Sequence, residues 1–241
     1  MDKKRAVIVG ASSGIGRELA KILSREGYIV GVTARREHLL QSLTQEINGA
    51  SFIKPMDVSL PEEAIKSLQE LVDEMGGLDL LIISAGTGYI NPELNWGKEK
   101  QTIAVNVVGF VAIATMAMNY FLRQGSGHLV GMSSIAALRG SSNASAYNAS
   151  KAFMSNYLEG LRFKVSRLKA SITVTDIQPG FVDTEMAKGE GLFWVVPVDK
   201  AAEQIYVAIK NKRKHAYVSK RWRLFAVVLK IMPNWVCEKV L

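Results

Sequence analysis

The chain has 241 residues, 48% of them hydrophobic, and its 30 Lys and Arg against 22 Asp and Glu give a formal net charge of +8. This length and apolar content suit one domain with a sizeable core. The single cysteine, Cys237, excludes an internal disulfide and is typical of a reducing compartment. The three histidines lack the spacing of metal ligands, so we predict no metal site.

The positive charge lies at the C-terminal end of the chain. Residues 210–241 hold nine Lys and Arg and one acid, Glu238, whereas residues 1–209 hold 21 of each sign. This distribution argues against a nucleic-acid-binding protein. The start of the chain reads as a strand rather than a secretion signal, and no apolar stretch of about 20 residues predicts a membrane-spanning helix. We therefore expect a cytoplasmic protein.

A glycine-rich turn follows the first predicted strand, residues 5–10, and opens a helix. Glycines let a backbone approach a pyrophosphate closely, and a helix N-terminus offers free N–H groups and a positive dipole end. The order strand, turn, helix predicts a dinucleotide site. The turn residues predicted to contact the cofactor are Gly10, Ser12, Ser13, Gly14, Ile15 and Gly16.

Two arginines, Arg35 and Arg36, follow the second predicted strand, residues 28–33. An acid at this place binds the ribose hydroxyls in an NAD site, and none occupies residues 33–36. Guanidinium groups suit a 2′-phosphate through charge and forked hydrogen bonds. The pair predicts NADP(H), with Arg35 favoured over Arg36 and the Ser12 hydroxyl as a further donor. The alternative is that one or both arginines are solvated residues at a helix start.

The ends of the later strands supply the remaining predicted cofactor contacts, because ligands bind at the carboxyl edge of an open α/β sheet. Asp57 closes the third predicted strand and is expected to bond the adenine amino group. The fourth strand, residues 78–84, is apolar apart from Asp79 and Ser84, as in a parallel sheet covered on both faces. The other contacts predicted at strand ends are Val58, Ser84, Ala85, Gly86, Pro179, Gly180, Val182 and Thr184.

Three residues around the fifth strand carry the predicted chemistry. Ser134 stands at the end of that strand, Tyr147 follows thirteen residues later, and Lys151 four residues after that. In a helix Tyr147 and Lys151 lie one turn apart on the same face. A neighbouring cation lowers the pKa of a phenol from about 10, which favours proton exchange near neutral pH. Taken alone, such a Tyr and Lys are ordinary helix-surface residues, and the other motifs reverse that interpretation.

Asn106 lies inside an apolar helix predicted over residues 98–123. A buried amide is costly unless it is hydrogen-bonded. Two interpretations stay open for this side chain. It ties down a backbone group, or it holds a water link to Lys151.

The C-terminal part of the chain is apolar and basic. Residues 185–198 are predicted to form a mobile lid, with Phe193 and Trp194 over a substrate or, alternatively, in the core. After a domain over 1–218, residues 219–241 form a tail. The tail packs on its own domain or a partner subunit, which we favour. Alternatively, residues 220–241 lie on the inner face of a membrane, with Trp side chains anchored and cations facing anionic lipid.

Together these motifs resemble the short-chain dehydrogenase/reductase family in its single-domain branch. The resemblance covers the chain to about residue 218 and rests on the family's order of motifs: Gly10/Gly14/Gly16, Ser84-Ala85-Gly86, Asn106, Ser134, Tyr147/Lys151 and Pro179-Gly180. Two positions depart from the family pattern. Val9 stands where a Thr is frequent, and Ile83-Ser84 stand where the family has two Asn, which weakens support near the adenosine.

The resemblance implies an α/β fold, a Rossmann-type doubly wound parallel sheet of order 3-2-1-4-5-6-7 with helices on both faces. It implies that Tyr147 donates or accepts the proton and that Ser134 polarises the substrate carbonyl. Lys151 would lower the Tyr147 pKa and bind the nicotinamide ribose, and Asn106 would support a water relay. Thr184, with the backbone near Val182, would hold the carboxamide.

The expected function is therefore NADP(H)-dependent interconversion of a carbonyl and an alcohol. Reduction is the expected direction, and the apolar lid and tail slightly favour a lipophilic substrate. The resemblance also implies a homodimer or homotetramer formed through the helices that begin near residues 98 and 145. The alternative is a non-catalytic nucleotide-binding scaffold or sensor on the same fold. Neither the substrate nor its stereochemistry follows from the fold.

Overall fold

A single parallel sheet organises the molecule. The computed structural model describes residues 3–168, 170–186 and 193–240, without the side chains of residues 220, 239 and 240. The sheet order is β3-β2-β1-β4-β5-β6-β7, as predicted from the resemblance. In the described ranges the strands are β1 Arg5–Val9, β2 Ile29–Ala34, β3 Ser51–Pro55, β4 Leu80–Ile83, β5 Ser126–Met132, β6 Ser171–Pro179 and β7 His215–Val218.

Helices cover both faces of this sheet. The same described ranges contain α1 Gly14–Arg25, α2 Glu37–Glu46, α3 Pro61–Glu74, α4 Trp96–Ile103, α5 Phe110–Gln124, α6 Ser145–Leu168, α7 Val198–Lys210, α8 Lys220–Ile231 and α9 Asn234–Val240. Helices α3, α5 and α6 pack in one core cluster, and α1, α2 and α7 pack in another on the opposite face. This double cover explains why β4 is apolar and buried at every position.

The strand register brings the predicted motifs to one edge. Val9 pairs with Thr33 on β2 and with Ile83 on β4, so the carboxyl ends of three strands meet there. The turn after β1 is tight because Gly10 has φ +89°. A Cβ on Gly16 would lie 2.2 Å from the Gly10 carbonyl oxygen, so only glycine lets α1 approach β1 this closely.

The long helix predicted over 98–123 is interrupted. A π-helical segment, Ala104–Gly109, joins α4 to α5 and contains Asn106. Such segments occur frequently at functional sites. The stretch Trp96–Gln124 is also the one helix within the described residues that is long and apolar enough to cross a membrane, and 56% of its apolar window is buried inside the protein. This burial is typical of a helix that packs in the core of a protein.

The C-terminal helix α8 packs on the domain. Trp222, Ala226 and Leu229 are buried in a small cluster with Ile135 of the 3₁₀ turn Ile135–Leu138. A Cβ on Gly180 would lie 2.1 Å from the Trp222 ring, so the indole rests directly on the backbone of the turn after β6. This contact agrees with the interpretation in which the tail packs on its own domain. The division at residue 218 stays a prediction.

Candidate active site

A cavity of about 900 Å³ opens at the carboxyl edge of the sheet. It brings together residues from the glycine turn, the strand ends and the start of α6. Gly16 and Asn106 do not line it. The predicted site residues that do are Gly10, Ser12, Ser13, Gly14, Ile15, Arg35, Arg36, Asp57, Val58, Ser84, Ala85, Gly86, Ser134, Tyr147, Lys151, Pro179, Gly180, Val182 and Thr184.

Ser134 and Tyr147 meet in this cavity. Ser134 precedes the 3₁₀ turn, and its hydroxyl accepts a hydrogen bond from the Ala136 N–H at 3.1 Å. The same hydroxyl donates to the Pro179 carbonyl oxygen at 3.4 Å, and its interaction with the Tyr147 phenol acts to lower the pKa of that group. A Cβ on Gly88 would lie 2.4 Å from the Tyr147 ring, so the loop after β4 fits closely against the phenol. Two hydroxyl groups therefore face the cavity together.

Lys151 lies one helical turn after Tyr147 and is almost fully buried. Its Nζ donates a hydrogen bond to the Met132 carbonyl oxygen at 2.8 Å and lies 5.7 Å from the centre of the Tyr147 ring. Burial lowers the pKa of Lys151 to about 8, and the charge of Asp176 opposes this shift. Lys151 therefore remains mainly protonated at neutral pH.

Burial dominates the pKa of Tyr147. It raises this pKa above its usual value of 10.0, and the interaction with Ser134 only partly opposes the rise. The physical reason for the rise is that enclosure disfavours the phenolate. The lowering of this pKa by Lys151 stays a prediction. At neutral pH Tyr147 carries its proton.

Asn106 ties the loop after β4 to α6. Its Oδ1 accepts from the Thr87 N–H at 2.9 Å, and its Nδ2 donates to the Thr87 carbonyl at 2.7 Å and to the Ser150 hydroxyl at 2.9 Å. These contacts match the first interpretation, a buried amide that fixes a backbone group. The water link to Lys151 stays a prediction.

A buried carboxylate near Lys151 was missed by the sequence reasoning. Asp176 has no exposed surface, and its oxygens accept from the hydroxyls of Ser133 and Ser155 and from the Gln178 amide. Its charge acts on Lys151. The available signal was an acid inside the predicted sixth strand, where a buried unpaired charge is costly.

The two arginines behave differently at the other end of the cavity. Arg36 Nη2 donates to the hydroxyls of Ser12 at 3.1 Å and Ser13 at 2.9 Å, so its guanidinium lies against the glycine turn. The Arg35 side chain is 66% exposed and lies 4.0 Å from Asp57 Oδ2. Arg36 is therefore the arginine that contacts the glycine turn, and its Nη1 also pairs with Glu185 Oε2 at 3.3 Å. The predicted ranking of Arg35 ahead of Arg36 stays a prediction.

Asp57 has local partners of its own. Its Oδ1 accepts from the backbone N–H of Ser59 at 2.9 Å and from the Ser59 hydroxyl at 2.7 Å. These bonds hold the carboxylate at the end of β3, where it lines the cavity. The contact with an adenine amino group stays a prediction.

Comparison with known proteins identifies the family. Residues 4–192 match the family model described as short chain dehydrogenase. The chain belongs to the short-chain dehydrogenase/reductase family. An uncharacterised oxidoreductase of Myxococcus xanthus is 35% identical over 97% of this chain and 94% of its own. The protein is thus an oxidoreductase of this family, and the predicted fold is confirmed.

Solved structures of family members share the fold. A short-chain dehydrogenase from Sphingobium yanoikuyae in complex with NADPH has a TM-score of 0.81 at 22% identity, over 99% of this chain and 96% of its own. A Burkholderia phymatum member in complex with NAD has a TM-score of 0.83 at 20% identity, over 94% of this chain and 92% of its own. These neighbours include both forms of the cofactor.

This family member's residues fit a nicotinamide dinucleotide. The turn after β1 lines the cavity at the N-terminus of α1, where Ser13 is the N-cap and the free backbone N–H groups suit a phosphate. Arg36, Ser12 and Ser13 add a cation and two hydroxyls beside that turn. The far end of the same cavity holds Tyr147, at a place where a bound nicotinamide could meet a substrate.

An aromatic wall closes the substrate end of the cavity. We use this name for Phe181, Phe193, Trp222 and Phe225. The Trp222 ring centre lies 5.4 Å from Phe181, 5.2 Å from Phe193 and 5.2 Å from Phe225. Two of these rings come from α8, which the sequence reasoning assigned to a separate tail. Part of the predicted lid, residues 187–192, lies outside the described residues.

Arg139 fastens α8 to the site. It lies between Ser134 and Tyr147 in sequence, and its guanidinium donates to the carbonyl oxygens of Leu229 at 2.8 Å and Met232 at 2.7 Å. These carbonyls belong to the last turn of α8, where backbone acceptors lack helical partners. The aromatic wall and the Ser134–Tyr147 loop are therefore held together.

Proposed function

We propose that this protein is an NADP(H)-dependent reductase that interconverts a carbonyl group and an alcohol. The observation that carries the proposal is that Ser134, Tyr147 and Lys151 line one cavity, with Lys151 Nζ 5.7 Å from the centre of the Tyr147 ring. A pure nucleotide-binding scaffold has no need of this arrangement.

The proposed mechanism uses the two hydroxyls on one substrate oxygen. Ser134 and Tyr147 donate hydrogen bonds to the carbonyl, which polarises it and orients its carbon. The nicotinamide, when bound, supplies the hydride. Tyr147 then gives its proton to the oxygen, so that the carbonyl gains one hydride and one proton and becomes an alcohol.

Protonation states favour reduction. The raised pKa keeps the Tyr147 proton in place at neutral pH, as a proton donor requires. Lys151 retains its charge below its pKa of about 8 and stabilises the phenolate that forms when the proton leaves. The reverse reaction would start from the phenolate, which is the minor form of Tyr147 at neutral pH.

The preference for NADP(H) rests on the adenosine end of the cavity. Arg36 and the hydroxyls of Ser12 and Ser13 form a cationic, donor-rich group beside the glycine turn. Phosphate oxygens suit such a group better than ribose hydroxyls do. Arg35 adds a second, more exposed cation that also lines the cavity.

The proposed substrate is lipophilic. Four aromatic side chains form one wall of the cavity, and Leu229 and Ile135 extend its apolar lining. Apolar pockets of this kind gain most from burying hydrocarbon or ring surface. Aliphatic and cyclic ketones and long-chain aldehydes are the first compounds to screen.

We further propose a homodimer or homotetramer. Val108, Phe153 and Phe163 are exposed apolar residues at the start of the α5 region and along α6. Exposed large apolar side chains of this kind commonly mark an interface. Light scattering on the wild type and on Phe163→Asp tests the association of subunits. The variant is expected to be monomeric only if α6 forms the contact between subunits.

The experiment that tests the activity is an NADPH oxidation assay with this carbonyl panel. Wild-type protein and Tyr147→Phe are compared, with NADPH binding measured separately by titration. The reductase is expected to turn over a lipophilic carbonyl, and the variant to bind NADPH without turnover. Equal rates for both proteins would refute the proposed role of Tyr147. Binding with no turnover by either protein across the panel would favour the scaffold.

A further inference from the structure

Helix α8 carries two apolar stripes on different faces. The inner stripe, Trp222, Ala226 and Leu229, is buried against the domain. The outer stripe consists of Leu224, Val227, Val228 and Ile231, which are 73%, 54%, 48% and 75% exposed. Both have the i, i+3, i+4, i+7 type of helical spacing. At about 100° per residue the two stripes point in nearly opposite directions, so the outer stripe faces away from the protein.

Cations border the outer stripe on both sides. On the same helical projection, Arg221 lies along one edge, and Arg223 and Lys230 lie along the other. All three residues are exposed, and α8 contains no acid. Long cationic side chains can keep their charges at a polar boundary while the helix face between them is buried in an apolar phase. A helix with this cross-section is suited to an interface between water and lipid.

We propose that the outer stripe of α8 is a docking surface for an anionic lipid bilayer, with the helix lying in the plane of the membrane surface. Trp235 on the following helix α9 is 65% exposed and is a residue type that favours the headgroup region. The excess positive charge of the chain, held in residues 210–241, provides attraction to acidic headgroups.

Charge complementarity selects a bilayer over a second copy of the chain. Two copies joined through this stripe would bring Arg221, Arg223 and Lys230 of each chain toward the same cations of the other. Like charges across an interface oppose association. Anionic lipid presents the opposite sign at the depth that these side chains reach.

Docking would place the aromatic wall close to the membrane. Phe225 and Trp222 line the cavity from the inner side of the same helix, and Trp194, which is 46% exposed, packs against both rings. This consequence rests on the proposed function: the substrate would be a lipophilic carbonyl compound dissolved in the bilayer. The docking surface itself requires no catalysis.

The test is co-sedimentation with sucrose-loaded vesicles. One set contains equal parts of phosphatidylglycerol and phosphatidylcholine, and the other phosphatidylcholine alone. The wild type is expected to bind the mixed vesicles and to lose binding as salt is raised. The variant Leu224→Glu/Ile231→Glu is expected to bind at least about tenfold less. Val207→Glu is the matched control, because Val207 is a 49% exposed apolar residue on α7.

A second variant, Arg221→Gln/Arg223→Gln/Lys230→Gln, separates charge from apolar insertion. It is expected to lose the preference for phosphatidylglycerol. NADPH binding and thermal unfolding of each variant show whether it is folded, so loss of vesicle binding is read independently of any activity. The proposal is overturned if the wild type does not bind the mixed vesicles, or if Leu224→Glu/Ile231→Glu binds them as strongly as the wild type does. A change of oligomeric state in that variant, without vesicle binding by the wild type, would assign the stripe to a contact between copies.

Discussion

The buried carboxylate of Asp176 supports the charge of the buried ammonium of Lys151. Burial lowers the Lys151 pKa to about 8 even though the Asp176 charge acts in the opposite direction. The carboxylate also faces His215, its register partner on β7, and raises the pKa that burial of this histidine lowers. The carboxylate is held by hydroxyl and amide donors rather than by a direct ion pair among the described residues.

Asp176→Asn is therefore expected to move the alkaline limb of the pH–rate profile to lower pH. The substitution removes the charge that sustains Lys151, so the ammonium loses its proton at a lower pH. Turnover is measured with NADPH between pH 6 and 9.5. Ser155→Ala is the control, because it removes one hydrogen bond to Asp176 at 2.6 Å and leaves the charge. Superimposable profiles for Asp176→Asn and the wild type would contradict the prediction.

Tyr147→Phe is expected to lower turnover by about 10²–10⁴-fold, the usual contribution of a positioned proton donor. NADPH affinity should stay close to that of the wild type, because the ring remains. Tyr157→Phe is a matched control on the same helix, since the Tyr157 hydroxyl shares a hydrogen bond with the Thr115 hydroxyl of α5 at 3.2 Å. Stopped-flow single turnovers separate the chemical step from product release. An unchanged single-turnover rate would exclude Tyr147 as the donor.

Arg36→Ala is expected to weaken NADPH binding on the order of ten- to hundredfold, the effect of losing charge-assisted hydrogen bonds to a phosphate. NADH binding should change little, because NADH lacks the 2′-phosphate. Arg35→Ala should have the smaller effect, since its side chain is the more exposed of the two. Titration of both cofactors against the three proteins measures this. A larger loss in Arg35→Ala would support the ranking predicted from the sequence.

Stability is expected to fall as the pH drops from 6.5 toward 4. Burial lowers the His128 pKa from 6.5 to about 4. Between these two pH values His128 binds a proton in the unfolded chain but not in the folded one. The stabilisation is complete above pH 6.5 and is lost as the pH approaches 4. At pH 4 the free energy of unfolding is expected to be lower by about 3 kcal/mol because of His128. His215, whose pKa is also lowered, acts in the same direction.

Urea unfolding at pH 7.5, 6, 5 and 4.5 measures this effect. His128→Gln keeps a polar side chain near Thr175 Oγ1, which contacts His128 Nε2 at 2.8 Å, and has no proton to gain. The free energy of unfolding of the variant should therefore depend less on pH than that of the wild type. His38→Gln, at an exposed position, is the control. Parallel curves for His128→Gln and the wild type would rule out His128 as the cause.

The sequence predicted the features that depend on local pattern. Strands such as residues 78–84 and the glycine turn from Gly10 to Gly16 appear where their apolar runs and small residues placed them. These signals work because a covered parallel strand must be apolar and because a close helix–strand crossing excludes a Cβ.

The remaining features depend on distant parts of the chain. Whether Arg35 or Arg36 turns toward Ser13 depends on how α2 leaves β2. The pKa of Tyr147 depends on its enclosure by loops far away in sequence. Trp222 reaches the cavity only because α8 folds back onto Gly180. No local pattern reports such contacts, since they arise between segments separated by many residues.

The family match ends at residue 192, and three rings of the aromatic wall come from residues 193 and beyond. The matched range thus contains the glycine turn, Ser134, Tyr147 and Lys151, whereas three of the four rings of the aromatic wall lie beyond it. Reaction type can be transferred between members of the family more safely than substrate choice. Exchange of residues 193–241 with those of a characterised relative would be the direct way to change the substrate specificity of this protein.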